Sequence, residues 1–269
     1  GTGPSNVWAV GDAGTILRWN GSAWANLSYP TAAGLAGLWG SGAGDVWVTG
    51  QAGLILHWNG SAWAPTPSGT TSYLAGASGT ASNDAWAVGT AGAILHWDGI
   101  AWSTATSGTT AVLSRTWAAG PSDVWAVGFN GIILRWNGTA WTTVSVGTMN
   151  TLYGVWGTGP TDVWAVGSVG TIVRWNGSAW SSFSGGPTGG YLTAVWGAGA
   201  NDAWAVGNAG NIVRWNGSAW SAVSSGTTTI LYAVWGSASS DVWAVGFSGA
   251  ILHWDGTAWS AVSSGTTRT

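Results

Sequence analysis

Asp123-Val-Trp-Ala-Val-Gly128 is one of seven near-copies of a single hexapeptide. The copies place tryptophan at Trp8, Trp47, Trp86, Trp125, Trp164, Trp204 and Trp243, at successive spacings of 39, 39, 39, 39, 40 and 39 residues. A period in this range is the mark of a repeat architecture, so it decides the reading of everything around it.

Each copy reads as four short strands. A Leu-x-x-Val-Trp segment stands before the hexapeptide at 35–39, 113–117, 152–156, 192–196 and 231–235, with a degenerate copy from Leu74 to Ser78. The hexapeptide is the second strand, Ile-Leu-Arg/His-Trp the third, and Ala-Trp with the small polar residues after it the fourth. Turns such as Gly50-Gln51-Ala52-Gly53 join strands two and three, and Asn-Gly or Asp-Gly joins three and four. No segment has helical periodicity. Four antiparallel strands per unit of about 40 residues, seven times over, predict an all-β, seven-bladed β-propeller filling residues 1–269 as one domain. No Leu-x-x-Val-Trp precedes Asn6, so the first blade is expected to be incomplete, or the chain to be a fragment of a longer repeat protein.

The second copy allows a register to be written. With two-residue turns at Asn59-Gly60 and Gln51-Ala52, Trp58 pairs with Ser61, Leu56 with Trp63 and Trp47 with Leu56. Trp47, Leu56, Trp58 and Trp63 would then share one face, with Val46, Val48, Ile55, His57 and Ala62 on the reverse. A bulky face of one blade pressed on the small face of the next would pack densely.

Composition narrows the chemistry. Among 269 residues there are 26 Trp, 46 Gly and no Cys; the charged residues are six Arg and nine Asp, with neither Lys nor Glu. Walker loops, Schiff-base lysines and cysteine nucleophiles are excluded, as is a disulfide framework. The net charge of −3 gives no basic footprint for nucleic acid. No apolar run is long enough to cross a bilayer as a helix, so no membrane insertion is expected. Gly1 to Asn6 lack the regions of a signal peptide, and any export signal is expected to have been removed.

The few charges follow the repeat. Asp45, Asp84, Asp123, Asp162, Asp202 and Asp241 open the second strand, where Asn6 stands in the first copy; Arg18, His57, His96, Arg135, Arg174, Arg214 and His253 share one place in the third. The written register would bring acid and base together across a blade interface, as structural pairs or as Arg stacked over Trp. Catalytic constellations break symmetry, whereas this set is copied around the repeats, and no nonrepeated carboxylate pair or metal-ligand spacing is present. The chain is therefore expected to be no enzyme and to need no metal or cofactor. The Gly-x-x-Gly segments are followed by no helix and read as tight turns. The Asn-Gly-Ser/Thr triplets match a glycosylation pattern, as does Asn26-Leu27-Ser28, but the triplets already have a turn role. One residue departs from its repeat: Arg115 stands where other copies have Gly37, Gly76, Gly154, Ala194 and Ala233. It is expected to face a central channel, as a solvated side chain or as an anion site.

The unit Leu192-Thr-Ala-Val-Trp-Gly, Asp202-Ala-Trp-Ala-Val-Gly, Ile212-Val-Arg-Trp-Asn-Gly and Ala219-Trp resembles the tectonin repeat and related bacterial propeller lectins. It also resembles the repeats of photosystem-assembly-factor propellers, which carry similar Trp-Ala-Val-Gly, Gly-x-Ile-Leu and Asp-Gly-x-x-Trp segments. The likeness spans essentially the whole chain. Tectonin-like lectins bind sugars in Trp-lined pockets, so the first resemblance implies a secreted or cell-surface, glycan-binding protein. A pyranose can lay its C–H face on an indole while Asn and Asp meet its hydroxyls. The expected contacts are the outer-strand indoles Trp24, Trp63, Trp102, Trp141, Trp180, Trp220 and Trp259. Beside them stand Asn20, Asn59, Asn137, Asn176 and Asn216, with Asp98 and Asp255. Up to seven weak sites would gain by avidity on a multivalent surface. The second resemblance implies an interaction or assembly scaffold.

Overall fold

The computed structural model describes residues 1–269. It is a seven-bladed β-propeller built from antiparallel sheets in chain order. The first blade has three strands, β1 (Val7–Val10), β2 (Ile16–Trp19) and β3 (Trp24–Asn26), in the order β1-β2-β3. The second has four, β4 (Leu35–Gly42), β5 (Asp45–Gly50), β6 (Ile55–Trp58) and β7 (Trp63–Pro65), again in chain order. Blades three to seven repeat this pattern, with first strands Leu74–Ala81, Leu113–Gly120, Leu152–Gly159, Leu192–Gly199 and Leu231–Ala238. The chain falls into two compact units, Gly1–Val144 with blades one to four and Ser145–Thr269 with blades five to seven.

The register departs from the sequence-based one in both hairpins of blade two. Between β5 and β6 the chain makes a tight turn over Gln51–Gly53, with Ala52 at φ +54° and Gly53 at φ +71°. Two successive left-handed residues take up one residue more than a two-residue turn. Trp47 therefore pairs with His57, and Val48 with Leu56. Gly53 is required on two counts: its φ is positive, and a Cβ would lie 1.9 Å from the Thr70 carbonyl oxygen. Between β6 and β7, Trp58 pairs with Trp63 rather than with Ser61, because four residues form the turn.

A one-residue slip moves a strand's side chains to the other face. Asp45, Trp47 and Thr49 thus share a face with Ile55 and His57, while Val46, Val48, Leu56, Trp58 and Trp63 share the reverse. The expected division into one bulky and one small face is replaced by indoles on both. Between blades two and three, Trp47 packs among Ala85, Ala87 and Leu95 and meets Trp97 at 4.7 Å and Trp102 edge-on at 5.3 Å. Trp8 meets Trp58 and Trp63 in the same way between blades one and two, and Trp86 meets Trp136 and Trp141 between three and four. In the second unit Trp164 meets Trp215 and Trp220, and Trp204 meets Trp254 and Trp259.

The indole N–H groups of Trp47, Trp86, Trp164 and Trp204 are buried without a hydrogen-bond acceptor. Leaving such a donor unmatched costs about 1–3 kcal/mol. Burying roughly 200 Å² of indole at about 25 cal/mol per Å² contributes about 5 kcal/mol, so burial wins.

Candidate functional site

The repeated Asp and Arg/His positions meet within single blades, not across an interface. Asp45 and His57 face each other because Trp47 pairs with His57, and His57 Nε2 lies 2.6 Å from Asp45 Oδ1. The imidazole stacks on Trp47 at 4.1 Å and 17°. His96 with Asp84 over Trp86, and His253 with Asp241 over Trp243, repeat the arrangement. Where the base is arginine, Nε donates to the carboxylate: Arg135 to Asp123 at 2.7 Å, Arg174 to Asp162 at 2.6 Å and Arg214 to Asp202 at 2.8 Å. Their guanidinium groups lie 4.8, 4.8 and 4.7 Å from the rings of Trp125, Trp164 and Trp204. In blade one Arg18 Nε donates to Asn6 Oδ1 at 2.8 Å and covers Trp8. A hydroxyl completes the set in several blades, as Thr158 Oγ1 donates to Asp162 Oδ2 at 2.7 Å. Each set seals one end of a buried indole; its groups are committed to one another.

The outer-strand tryptophans lie between blades. Trp102, Trp141, Trp220 and Trp259 are only 8, 8, 5 and 8 % exposed, too little to offer a stacking face to a pyranose. Trp24, Trp63 and Trp180 are partly buried, and Trp63 is held between Trp8 and Trp58. These side chains therefore do not line the open outer groove that the sequence suggested. Trp63 keeps the face of Leu56 and Trp58 expected for it, and that face packs on the neighbouring blade. Trp259 does border an open groove, with Ser225, Thr227, Ala261, Ser264 and Thr266.

The neighbouring polar residues are turn-formers. Asn59 Oδ1 accepts from the Ser61 amide at 3.0 Å, the Ser61 hydroxyl at 2.8 Å and the Ala62 amide at 3.0 Å. Asn20, Asn137, Asn176 and Asn216 accept from the same three donors in their own turns. Asp98 accepts from the Ile100 and Ala101 amides, and Asp255 from the Thr257 amide and hydroxyl and the Ala258 amide. These bonds hold the Asp98 carboxyl below its ordinary pKa and bring that of Asp255 to about 2. An oxygen already accepting two or three bonds has little left for a sugar hydroxyl.

Arg115 is half-buried, and its guanidinium Nη1 donates to the main-chain carbonyls of Ala75 and Ser114. Burial pulls its pKa down, with Tyr73 acting in the opposite direction. The Tyr73 hydroxyl is raised chiefly by burial. The side chain spans from the first strand of blade four back to that of blade three, a bracing role that neither sequence-based reading anticipated.

Sequence reasoning also passed over the exposed apolar side chains. In the first unit these include Tyr73 and Phe129, and in the second Met149, Val169 and Phe247. Phe129, Val169 and Phe247 sit in turns from second to third strand; Tyr73 and Met149 lie just before first strands. Both places are at one end of a blade, because the start of a first strand pairs with the end of the second, as Leu35 does with Gly50. Ile100, 86 % exposed, is at the opposite end.

No family model matches the chain, and no curated protein matches it. Among solved structures it is similar to YCF48 bound to a D1 peptide, with 19% identity, 86% of this chain and 81% of that one covered, and a TM-score of 0.69. YCF48 from Cyanidioschyzon merolae gives 17% identity, 92% and 91% coverage and a TM-score of 0.74. The WD40 repeats of RRP9 give 12% identity, 96% and 85% coverage and a TM-score of 0.75. At such identities the likeness shows the fold, a β-propeller.

Proposed function

We propose that this chain is a non-enzymatic propeller scaffold that binds protein partners through the blade ends where second strands turn into third strands. The observation that carries this is the sorting of large side chains. The outer-strand indoles are spent between blades, whereas Tyr73, Phe129, Met149, Val169 and Phe247 stand exposed at one end of their strands. Exposed aromatic and methionine side chains suit contact with a protein surface. The fold relatives add support, since one of them is a propeller bound to a peptide. The ion pairs of Asp45 with His57, Asp123 with Arg135 and Asp162 with Arg174 belong to a copied set beneath which an indole is buried, which favours binding over catalysis.

A sugar-binding reading rests on the groove beside Trp259, whose indole is 8 % exposed. The test runs both readings together. Immobilised wild-type protein and a Phe129→Ser/Phe247→Ser double variant are used to capture partners, beside a glycan array. The expected result is a protein held by the wild type, lost by the double variant and indifferent to free sugars. Capture unchanged in the double variant, or an array signal competed away by a neutral sugar, would reverse the conclusion.

A further inference from the structure

The first strands of blades three and four break the symmetry of the repeat. At the third and fourth places blade four carries Arg115 and Thr116, where blade five has Gly154 and Val155 and blade six has Ala194 and Val195. At the fifth place blade three carries Ser78, where the other first strands have tryptophan. Ser78 and Thr116 are buried with their hydroxyl oxygens 3.3 Å apart. The two strands lie close enough that a Cβ on Gly76 would come within 2.9 Å of the Arg115 Cα. The Arg115 side chain reaches back across this approach, and its Nη1 donates to the carbonyls of Ala75 and Ser114. A guanidinium has five N–H donors. Those two bonds leave Nε–H and both Nη2–H groups without an acceptor in the chain.

The other arginines of the repeat show what this edge of a guanidinium takes. Arg135 donates from Nε to Asp123 Oδ1 at 2.7 Å and from Nη2 to Asp123 Oδ2 at 3.0 Å, a fork that holds both oxygens of one carboxylate. Arg174 and Arg214 give Nε to Asp162 and Asp202, and Arg18 gives it to Asn6. Arg115 has the same edge and no acid of its own. Burial acts on it most strongly, and Tyr73 is the one ionisable group whose charge bears on it. A half-buried cation without a counter-charge has given up hydration that nothing in the chain returns. An anion with two oxygens would return it. The Tyr73 hydroxyl is kept protonated by the burial that raises its pKa, so it is a further donor beside the guanidinium. Tyr73 is 38 % exposed, which leaves a small solute a way in.

We propose that the Nε/Nη2 edge of Arg115 is a binding site for a small oxyanion, a carboxylate or inorganic phosphate, whose two oxygens accept the bonds that Asp123 accepts from Arg135. Both anions match the planar fork of a guanidinium, whereas a spherical halide does not and an ammonium group offers no fork. The site lies between blades three and four, within Gly1–Val144. It goes beyond the protein-binding reading and does not depend on it, since Phe129 and Phe247 take no part.

The probes are sodium phosphate, sodium acetate and sodium chloride, each titrated into the full chain at constant ionic strength while the arginine Nε–H resonances and Tm are followed. The Arg115 resonance, identified by its absence from the Arg115→Lys protein, is expected to shift saturably with phosphate, acetate or both, and not with chloride. Its exchange with water is expected to slow about tenfold at saturation, and Tm to rise with anion concentration. A response to one of the two oxyanions alone supports the site and fixes its preference. Arg115→Lys keeps the charge without the fork and is expected to bind about tenfold more weakly by the Tm titration. Arg115→Gly, which installs the residue found at Gly37, Gly76 and Gly154, is expected to fold and to show no anion-dependent rise in Tm. The Phe129→Ser/Phe247→Ser protein is expected to bind as the wild type does. Three results would overturn the proposal: a shift at Arg115 no larger than those at Arg135, Arg174 and Arg214, an equal rise in Tm for Arg115→Gly, or the same response to chloride.

Discussion

Trp164 shows how much one side chain carries. It is fully buried, with the rings of Phe183, Trp215 and Trp220 each centred 5.1 Å away and the Arg174 guanidinium 4.8 Å off its face. Truncation opens a cavity between blades five and six and removes the platform under the Arg174–Asp162 pair. Trp164→Ala is expected to lower stability by about 4 kcal/mol in equilibrium urea unfolding. A loss under about 1 kcal/mol would mean that the indole is not a wedge between the two blades. Asp255 has a different kind of effect. Hydrogen bonds from Thr257, and then from the Ala258 amide, bring its pKa from 3.8 to about 2. A carboxyl depressed on folding stabilises the folded state above its unfolded pKa, and that contribution is lost as pH falls through the folded value. Asp255→Asn keeps the accepting oxygen, as Asn59 and Asn216 do at the same place. Between pH 4 and pH 2 the wild type is therefore expected to lose more stability than Asp255→Asn, and the Asp255 carboxyl to titrate near 2 by NMR.

At the level of the element, the turn between second and third strands governs the blade. Its middle residue is left-handed in every copy: Ala13, Ala52, Ala91, Asn130, Val169, Ala209 and Ser248 all have φ between 51° and 57°. Alanine, serine and asparagine tolerate that conformation better than a β-branched residue does. Val169 is also 68 % exposed, so packing does little to offset the strain. Val169→Asn, the residue that Asn130 supplies in blade four, is expected to stabilise the protein by about 1 kcal/mol, read as a raised urea midpoint at constant m-value. A neutral or lower midpoint would show that Val169 makes contacts worth its strain.

Across the whole molecule, tryptophan is mortar between blades. Emission from the native protein is therefore expected to be blue-shifted and poorly quenched by iodide, moving to the red on unfolding. Neutral monosaccharides are expected to leave it unchanged, since Trp102, Trp141, Trp220 and Trp259 are buried. A saturable change with any of them would restore the outer indoles as ligand contacts. The ion pairs belong to the same scheme. A chain with so few charges has placed most of them beside buried rings, where a guanidinium or imidazole covers apolar surface and satisfies a carboxylate at once.

The blade number, the four-strand unit, the short first blade and the recurrence of Asp and of Arg or His at fixed places in the repeat were legible in the sequence, because each follows from the period. The face on which each side chain lies was not, because it hangs on turn length. Gln51–Gly53 takes one residue more than a two-residue turn, and Asn59 closes its turn through its own side chain, so Trp47 parted from Trp58 and joined His57. From that single slip came the pairing of Asp45 with His57 inside a blade and the burial of Trp102 against Trp47. Local sequence specifies which strands exist. Which indoles end inside and which loops remain free to meet a partner was decided only when neighbouring blades packed, since burial is a property of two surfaces and not of one.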